Sequence, residues 1–335
     1  MKAWHITSHG SFDGLAPVES EDPMPGPRQI LVRVRAVSLN YRDLTALRTQ
    51  RPGNLSPLIP CSDAAGVVIA VGAEVTRFRP DDRVAGCFFQ AWPAGSITRG
   101  VMKTALGGPV HGVLSERALF AEDAAVPLPP HLSFQEAATL PCAGLTAWHA
   151  LVEKGCLRAG TSVLLLGTGG VSIFALQFAK LHGARVIITS SNDEKLARAQ
   201  KLGADVTINY RTTPDWEKTV WELTGNEGVD HVIEVGGAGT LARSLAAVRF
   251  GGRISLIGVL TGFEGHINPW PIVARSVTAQ GIYVGSTEMF DRMNAAIAAT
   301  RLRPVIDRIF AFADSREAFA QLESGNHFGK IVIAI

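Results

Sequence analysis

The segment Leu166-Gly167-Thr168-Gly169-Gly170-Val171-Ser172 lies between a run of β-branched and leucine residues and a helical stretch. A turn of this composition can bind a dinucleotide. Gly167 permits the tight turn and Gly169 lets a pyrophosphate approach the backbone. The helix start at Gly170 and Val171 then offers free N–H groups and the positive end of the helix dipole to the phosphates. Ser172 holds the third fingerprint position, where glycine or alanine is usual, and is small enough for close helix–strand packing. About 20 residues beyond Gly167, where NAD-selective folds place a carboxylate, the chain reads Ile188-Thr189-Ser190-Ser191-Asn192. No acid stands at the strand end. Ser190 and Ser191 can donate to a phosphate, Lys195 follows one helical turn on, and Tyr210 can close over the adenosine. Together they predict NADP(H), because a carboxylate here would repel a 2′-phosphate. Lys195 also reads as an ordinary solvated helix lysine, and Asp193 and Glu194 as first-turn residues that complement the dipole.

Such a turn needs a sheet to carry it. Strand-like runs at 162–166, 185–189, 206–209, 230–235 and 253–258 alternate with helical stretches near 171–182, 193–202, 214–224 and 239–249. That alternation predicts an α/β fold, a Rossmann-type doubly wound parallel sheet with the continuous apolar strand Val163–Leu166 at its centre. Residues upstream read as β-rich, with short strands near 30–37, 66–71 and 82–85 punctuated by glycine and proline, as in a barrel or sandwich. Residues 86–112 are rich in Gly, Phe and Trp without a period, and read as a long loop of the functional or mobile kind. Beyond 270 a helix near 286–300, a strand near 307–312, a helix near 315–323 and a strand at 330–335 are too few for a third domain and return to the first. The expected division is 1–125, 126–270 and 271–335.

Composition narrows the function. The 335 residues carry 32 basic and 30 acidic side chains, a formal charge of +2, which supports no nucleic-acid-binding stripe. Val163–Ala179 has no charge over 17 residues, but its glycine cluster fits a strand, turn and helix and not a membrane span. The four cysteines, Cys61, Cys87, Cys142 and Cys156, form neither a disulfide framework nor a C-x-x-C zinc lobe. With no apolar signal segment in residues 1–10, they suggest a reducing, cytoplasmic setting.

Further segments bring in a known family. Asn40-Tyr41-Arg42-Asp43 resembles N-x-x-D. Asp63-Ala64-Ala65-Gly66-Val67-Val68-Ile69-Ala70-Val71-Gly72 resembles E-A-A-G-x-V-x-x-V-G, with Asp for Glu. Asp82-Arg83-Val84 resembles G-D-R-V, with Asp81 for the glycine. Leu140–Trp148 resembles a hinge into the nucleotide domain, and Gly329-Lys330-Ile331-Val332 a terminal G-K-x-V strand. End to end, the chain resembles the medium-chain dehydrogenase/reductase superfamily, in its zinc-free quinone oxidoreductase-like branch. The resemblance implies a GroES-like β-barrel domain beside the Rossmann domain, with cofactor and substrate in a cleft between them.

The same resemblance places Asn40, Ser62 and Cys142 at the catalytic-zinc positions of the alcohol dehydrogenases. One plausible ligand of three survives, so no metal is expected. Carbonyl polarisation then falls to donors at the catalytic lip: Asn40, Tyr41 and Arg42, with Asp43 fixing the loop. The alternative stays open that Tyr41 packs on the nicotinamide ribose and Arg42 binds pyrophosphate. Thr146 is implied to face nicotinamide, Val235 and Gly236 to flank the adenine side, and Gly258, Val259 and Leu260 the nicotinamide. Ile282 and Tyr283 are implied to meet the carboxamide edge, and Phe328 and Lys330 to close the cleft. Phe89, Trp92 and Tyr283 read equally as an apolar substrate wall or as packing. The expected activity is NADPH-dependent hydride transfer to a small apolar carbonyl compound, a quinone, enone, aldehyde or ketone. The rival is a non-catalytic NADPH-binding protein, like the crystallins recruited from this branch. Val277–Val284 carries no charge and reads as a sixth strand at the sheet edge, predicting a homodimer whose interface includes residues near 262–284.

Overall fold

The computed structural model describes residues 1–262 and 264–335. The chain divides into two compact units, Met1–Leu145 with Val284–Ile335, and Thr146–Tyr283. These divisions fall later than the 125/126 and 270/271 expected.

In the second unit six parallel strands lie in the order Val206–Asn209, Arg185–Ser190, Ser162–Leu165, Val229–Glu234, Val248–Leu256, Thr278–Gly281. This is the 3-2-1-4-5-6 order of a doubly wound sheet. The central strand is fully buried at Val163, Leu164 and Leu165, as expected of a strand covered on both faces. Helices Gly170–Leu181, Asp193–Lys201, Trp216–Leu223 and Ala238–Ala247 connect the strands. The largest shift from the sequence reading lies between the fourth helix and the fifth strand, and a short helix it did not expect, Trp270–Ala274, precedes the sixth strand. The fourth helix stops at Ala247 and the fifth strand starts at Val248, because Val248 pairs with Val229 before a register shift ahead of His231. The β-branched and aromatic residues of Val248-Arg249-Phe250 suit that strand better than a helix end.

The first unit is built on the long strand Gln29–Ser38. It pairs antiparallel with Asp63–Val71 on one side and, over its two ends, with Arg117–Ala121 and Lys330–Ala334 on the other. The sheet continues through Arg83–Gly86 to Ala125–Pro127, and beyond Lys330–Ala334 to Ile306–Ala311. The strand Lys330–Ala334 is therefore internal to the first unit's sheet, and Ile306–Ala311 forms its edge. A helix the sequence reading passed over, Tyr41–Arg48, follows the long strand directly.

Residues 86–112 are not an open loop. Cys87, Phe88, Phe89, Trp92, Ala105 and Leu106 are buried, and Phe89 bridges Ala105 in antiparallel fashion. Phe88, Phe89 and Trp92 pack edge to face at centroid distances of 4.8 and 5.7 Å. The lack of period in this stretch reflects local packing of large side chains around glycine turns. Phe89 and Trp92 are thus core residues of the first unit, not an open wall for a substrate.

Candidate active site

All but three of the expected cofactor residues stand at the carboxyl ends of the six parallel strands or on the turns and helix starts that follow them, the edge where open α/β sheets bind ligands. Gly167 follows the first strand with φ +71°, a conformation that favours glycine, and its N–H reaches Thr189 Oγ1 on the second strand at 3.3 Å. A Cβ on Gly167 or on Gly169 would meet nothing within 4 Å, so open space lies in front of both. Gly169 is the N-cap of helix Gly170–Leu181 and supplies no side-chain cap. The first amides of that helix, Gly170 and Val171 among them, have no partner within the helix and none from a cap. Open space, uncapped donors and a helix dipole fit a dinucleotide pyrophosphate. Ser172 explains its place in the fingerprint: it is buried, and its hydroxyl donates to Leu166 O at 2.7 Å, stitching strand end to helix start.

At the second strand's end Ser190 is buried, Ser191 is half-buried, and Asn192 caps helix Asp193–Lys201 by accepting Lys195 N at 3.0 Å. Tyr210 N donates to Ser190 O at 3.0 Å, which brings the exposed Tyr210 ring beside this turn. The first acid after the strand, Asp193, is engaged by Asn209 Nδ2 at 2.7 Å. The sequence reading missed a second cation here. Arg211 follows Tyr210, is exposed, and is oriented by its own N–H on Asn209 Oδ1 at 3.0 Å.

The turns after the fourth and fifth strands meet. A Cβ on Gly258 would lie 2.1 Å from Val235 O, so only glycine allows this approach. Glu234, also missed, organises the pair. It is fully buried; its Oε1 accepts Gly236 N at 2.7 Å, Gly237 N at 3.0 Å and Thr240 Oγ1 at 2.6 Å, and its Oε2 accepts the Ser244 hydroxyl. A strand-ending glutamate before Gly-Gly was the available signal. Val259 is half-buried and Leu260 exposed on the fifth-strand turn, and Ile282 is buried and Tyr283 exposed after the sixth strand. Thr146 is buried where the second unit begins.

The first unit holds a second polar cluster, built on the residues expected at the catalytic lip. Asn40 is the N-cap of helix Tyr41–Arg48, and its N–H donates to Asp43 Oδ2 at 2.8 Å. Its Oδ1 accepts from Lys330 Nζ at 2.6 Å, and the same ammonium donates to Leu39 O at 2.5 Å. Asn40 Nδ2 is shielded from solvent and makes no hydrogen bond within 3.5 Å, though it lies close enough to Asp63 to favour that carboxylate's ionised form. Asp63 accepts Ser62 Oγ at 2.6 Å and Cys142 N at 3.0 Å. Burial pushes the Asp43 carboxyl up to about 6, against the pull of the Arg42 guanidinium and the Asn40 N–H, and burial likewise raises Asp63.

This geometry corrects several expectations. Lys330 is 3% exposed and spent on Leu39 and Asn40, so it is not a cofactor ligand. Phe328 is buried in the first unit. Asn40 offers no exposed donor. Arg42 donates to Leu106 O at 2.7 Å and Gly107 O at 3.1 Å and lies over the Phe88 ring at 4.7 Å, so it clasps the 86–112 segment and presents no free guanidinium to a carbonyl or a pyrophosphate. Tyr41 alone of the three has an exposed side chain, at 40%. Its phenol is hydrogen-bonded to Arg48, whose pKa is raised first by the Glu323 carboxylate and further by Tyr41. Arginine has no acceptor, so the phenol oxygen accepts from it and the O–H can point elsewhere.

Known proteins are similar to this chain over nearly its whole length. Residues 26–130 match the sequence family described as alcohol dehydrogenase GroES-like domain, and residues 170–299 that described as zinc-binding dehydrogenase. A zinc-type alcohol dehydrogenase-like protein of Schizosaccharomyces pombe is 43% identical over 332 residues, covering 97% of this chain and 96% of that protein. The chain belongs to the medium-chain dehydrogenase/reductase superfamily. A quinone oxidoreductase of Sus scrofa is 30% identical over 93% of this chain and 91% of its own length. A solved structure described as an NAD-dependent alcohol dehydrogenase superposes with a TM-score of 0.92 at 34% identity, covering all of both chains. This superfamily member is thus an oxidoreductase that works with a pyridine nucleotide.

Zinc is implied by the names of these families, and the donors at the three matching positions can be tested against it. Asn40 Oδ1 already takes the Lys330 ammonium, and the Ser62 hydroxyl is bonded to Asp63. The Cys142 thiol is pushed far up by burial, away from the thiolate that zinc requires. These residues do not fit a zinc ion. Among the described residues no group of three or more His, Cys, Asp or Glu is placed to hold a metal, and no helix is long and apolar enough to cross a membrane.

Proposed function

We propose that the protein is a zinc-independent, NADPH-dependent reductase of small apolar carbonyl compounds, with quinones and enones first and simple aldehydes or ketones second. The observation that carries this reading is the second-strand turn. It ends on Ser190 and Ser191 without an acid at the strand end, the first carboxylate after it, Asp193, is held by Asn209 while Glu194 follows in the first helical turn, and Lys195 and Arg211 stand on the two segments that flank the turn. Two cations with serine hydroxyls suit a 2′-phosphate, whereas a ribose 2′-hydroxyl calls for a free carboxylate. The NAD-dependent relative named above is the rival for cofactor choice.

NADPH, when bound, supplies the hydride. The glycine turn and the uncapped helix start hold the pyrophosphate, and Glu234 fixes the Gly236–Gly237 turn. The Tyr41 phenol donates a hydrogen bond to the carbonyl oxygen as negative charge builds there, the role of an oxyanion donor, and the product takes its proton from solvent water. Its partner Arg48 keeps the ring oriented. The mismatch of Asn40, Ser62 and Cys142 with zinc supports a reaction in which protein donors alone polarise the substrate.

Among the described residues the edge strand Thr278–Gly281 has no partner on its outer side, and Trp270 and Val273 nearby are 66% and 67% exposed. An uncharged edge beside exposed apolar side chains supports a homodimer formed there. The expected span 262–284 includes residue 263, which lies outside the described residues. The setting we propose remains cytoplasmic, without nucleic-acid or membrane partners.

Fluorescence titration of NADPH and NADH, followed by nucleotide oxidation with a quinone, an enone and an aldehyde, tests this function. Tight NADPH binding without turnover on any of them would favour the non-catalytic reading.

A further inference from the structure

Lys330 is the first residue of the strand Lys330–Ala334, and its ammonium is buried against Leu39 and Asn40, where the helix Tyr41–Arg48 begins. A buried lysine without a carboxylate in direct contact is costly, and structures keep one where its charge is used. Here the charge faces three things. Its hydrogen bonds go to Leu39 O and Asn40 Oδ1, the last residue before the helix and its N-cap. Its field favours the ionised forms of Asp43 and Asp63, the two buried acids of the cluster. Asp43 in turn holds the Asn40 N–H, and Asp63 holds Cys142 N in the π-helical turn Leu140–Gly144. An asparagine amide can flip by 180°, exchanging its donor and acceptor ends. An ammonium accepts no hydrogen bond, so next to Lys330 only Oδ1 can face it.

We propose that Lys330 is a positioning residue: it locks the Asn40 amide in one orientation and so fixes the helix turn that carries Tyr41. The ammonium takes Asn40 Oδ1 and Leu39 O together, so this corner of the first unit is organised by hydrogen bonds. Tyr41 is the next residue after Asn40, so slack at the N-cap passes directly into the direction of the phenol. The inference rests on the reductase reading for its kinetic arm and not for its spectroscopic arm.

The experiment compares wild type, Lys330→Met and the double variant Lys330→Met/Asp63→Asn, which removes the ammonium together with one acid it compensates. Reduction of a naphthoquinone by NADPH is measured together with NADPH affinity and the urea midpoint. Lys330→Met should lower kcat at least tenfold and leave NADPH affinity within twofold. The double variant should regain the urea midpoint without regaining kcat. It carries the comparison alone should the single variant not fold. Recovery of kcat with stability would overturn the proposal in favour of charge balance. Weaker NADPH binding at unchanged kcat would overturn it in favour of a cofactor contact. In parallel, protein labelled with ¹⁵N-asparagine is followed by NMR, with Asn40→Asp assigning the signal. The Asn40 side-chain protons should exchange with solvent at least tenfold faster without Lys330, and equal rates would overturn the proposal. This arm stands even if wild type turns over no carbonyl, an outcome that would refute the reductase reading alone.

Discussion

Glu234 Oε1 accepts the N–H of Gly236 at 2.7 Å from inside the sheet, and the same carboxylate holds Gly237, Thr240 and Ser244. One buried side chain thus shapes the turn after the fourth strand, against which Gly258 packs. Glu234→Ala strands four donors and should cost about 2–4 kcal/mol of stability, since each unsatisfied buried group is worth about 1–3 kcal/mol and the site can partly relax. Glu234→Gln should cost less, because one oxygen remains. Urea unfolding of the two variants checks this, and an equal loss for both would show that acceptor count does not matter.

His231 predicts a dependence on pH. It lies on the fourth strand with Nε2 2.9 Å from Ser255 Oγ, and burial, helped by the Arg253 charge, pulls its pKa down to about 3. The unfolded chain therefore binds a proton between the ordinary histidine value and about 3 that the folded chain refuses. The contribution of neutral His231 is complete above the ordinary value near 6.5 and is lost as pH falls below it. By pH 5 the loss is about 2 kcal/mol, at about 1.4 kcal/mol per pH unit. Asp43 acts in the opposite sense, since its raised pKa favours the folded state as pH falls from about 6 towards the ordinary aspartate value. The difference between wild type and His231→Gln isolates the histidine. Parallel stability curves for the two proteins between pH 7 and 5 would contradict the assignment.

Tyr41 predicts a kinetic signature. Removal of one donor aimed at a developing oxyanion costs about 10²–10³ in kcat. Tyr41→Phe should show a loss of that order with NADPH affinity unchanged. A retained kcat would remove Tyr41 from the chemistry.

The edge strand predicts an assembly state. Light scattering should give twice the 35.7 kDa chain mass for wild type and the single-chain mass for Ala279→Lys, which sets a charge on the outer edge. A wild-type mass of one chain at micromolar concentration would mean that the edge needs no partner.

The nucleotide unit was largely legible in the sequence because its signals are local. A glycine turn, an apolar central strand and strand–helix alternation each speak within a dozen residues, and strand ends then mark the positions expected to meet a cofactor. The signal failed at the Ala247/Val248 boundary, where a cross-strand pair to Val229 overrides helical pattern, at the short helix Trp270–Ala274, and at the limits of the unit itself. The first unit was less legible because its site is assembled across long separations. Lys330 meets Asn40 across 290 positions and Arg42 meets Leu106 across 64, and no periodicity encodes such pairs. Motif likeness placed Asn40, Tyr41 and Arg42 in one segment, but their roles depend on what each side chain meets in space. Buried partners claim Asn40 and Arg42, and leave Tyr41 exposed.

The most direct test is NADPH and NADH oxidation by chelator-treated protein against a shared panel of quinones, enones and aldehydes, with wild type and Lys195→Ala side by side. Wild type should turn over at least one carbonyl with full activity after chelation, and with NADPH favoured at least tenfold in kcat/KM, about 1.4 kcal/mol. Lys195→Ala should erase most of that preference. Activity that disappears with chelator and returns with zinc, or equal use of NADH by wild type, would contradict the account.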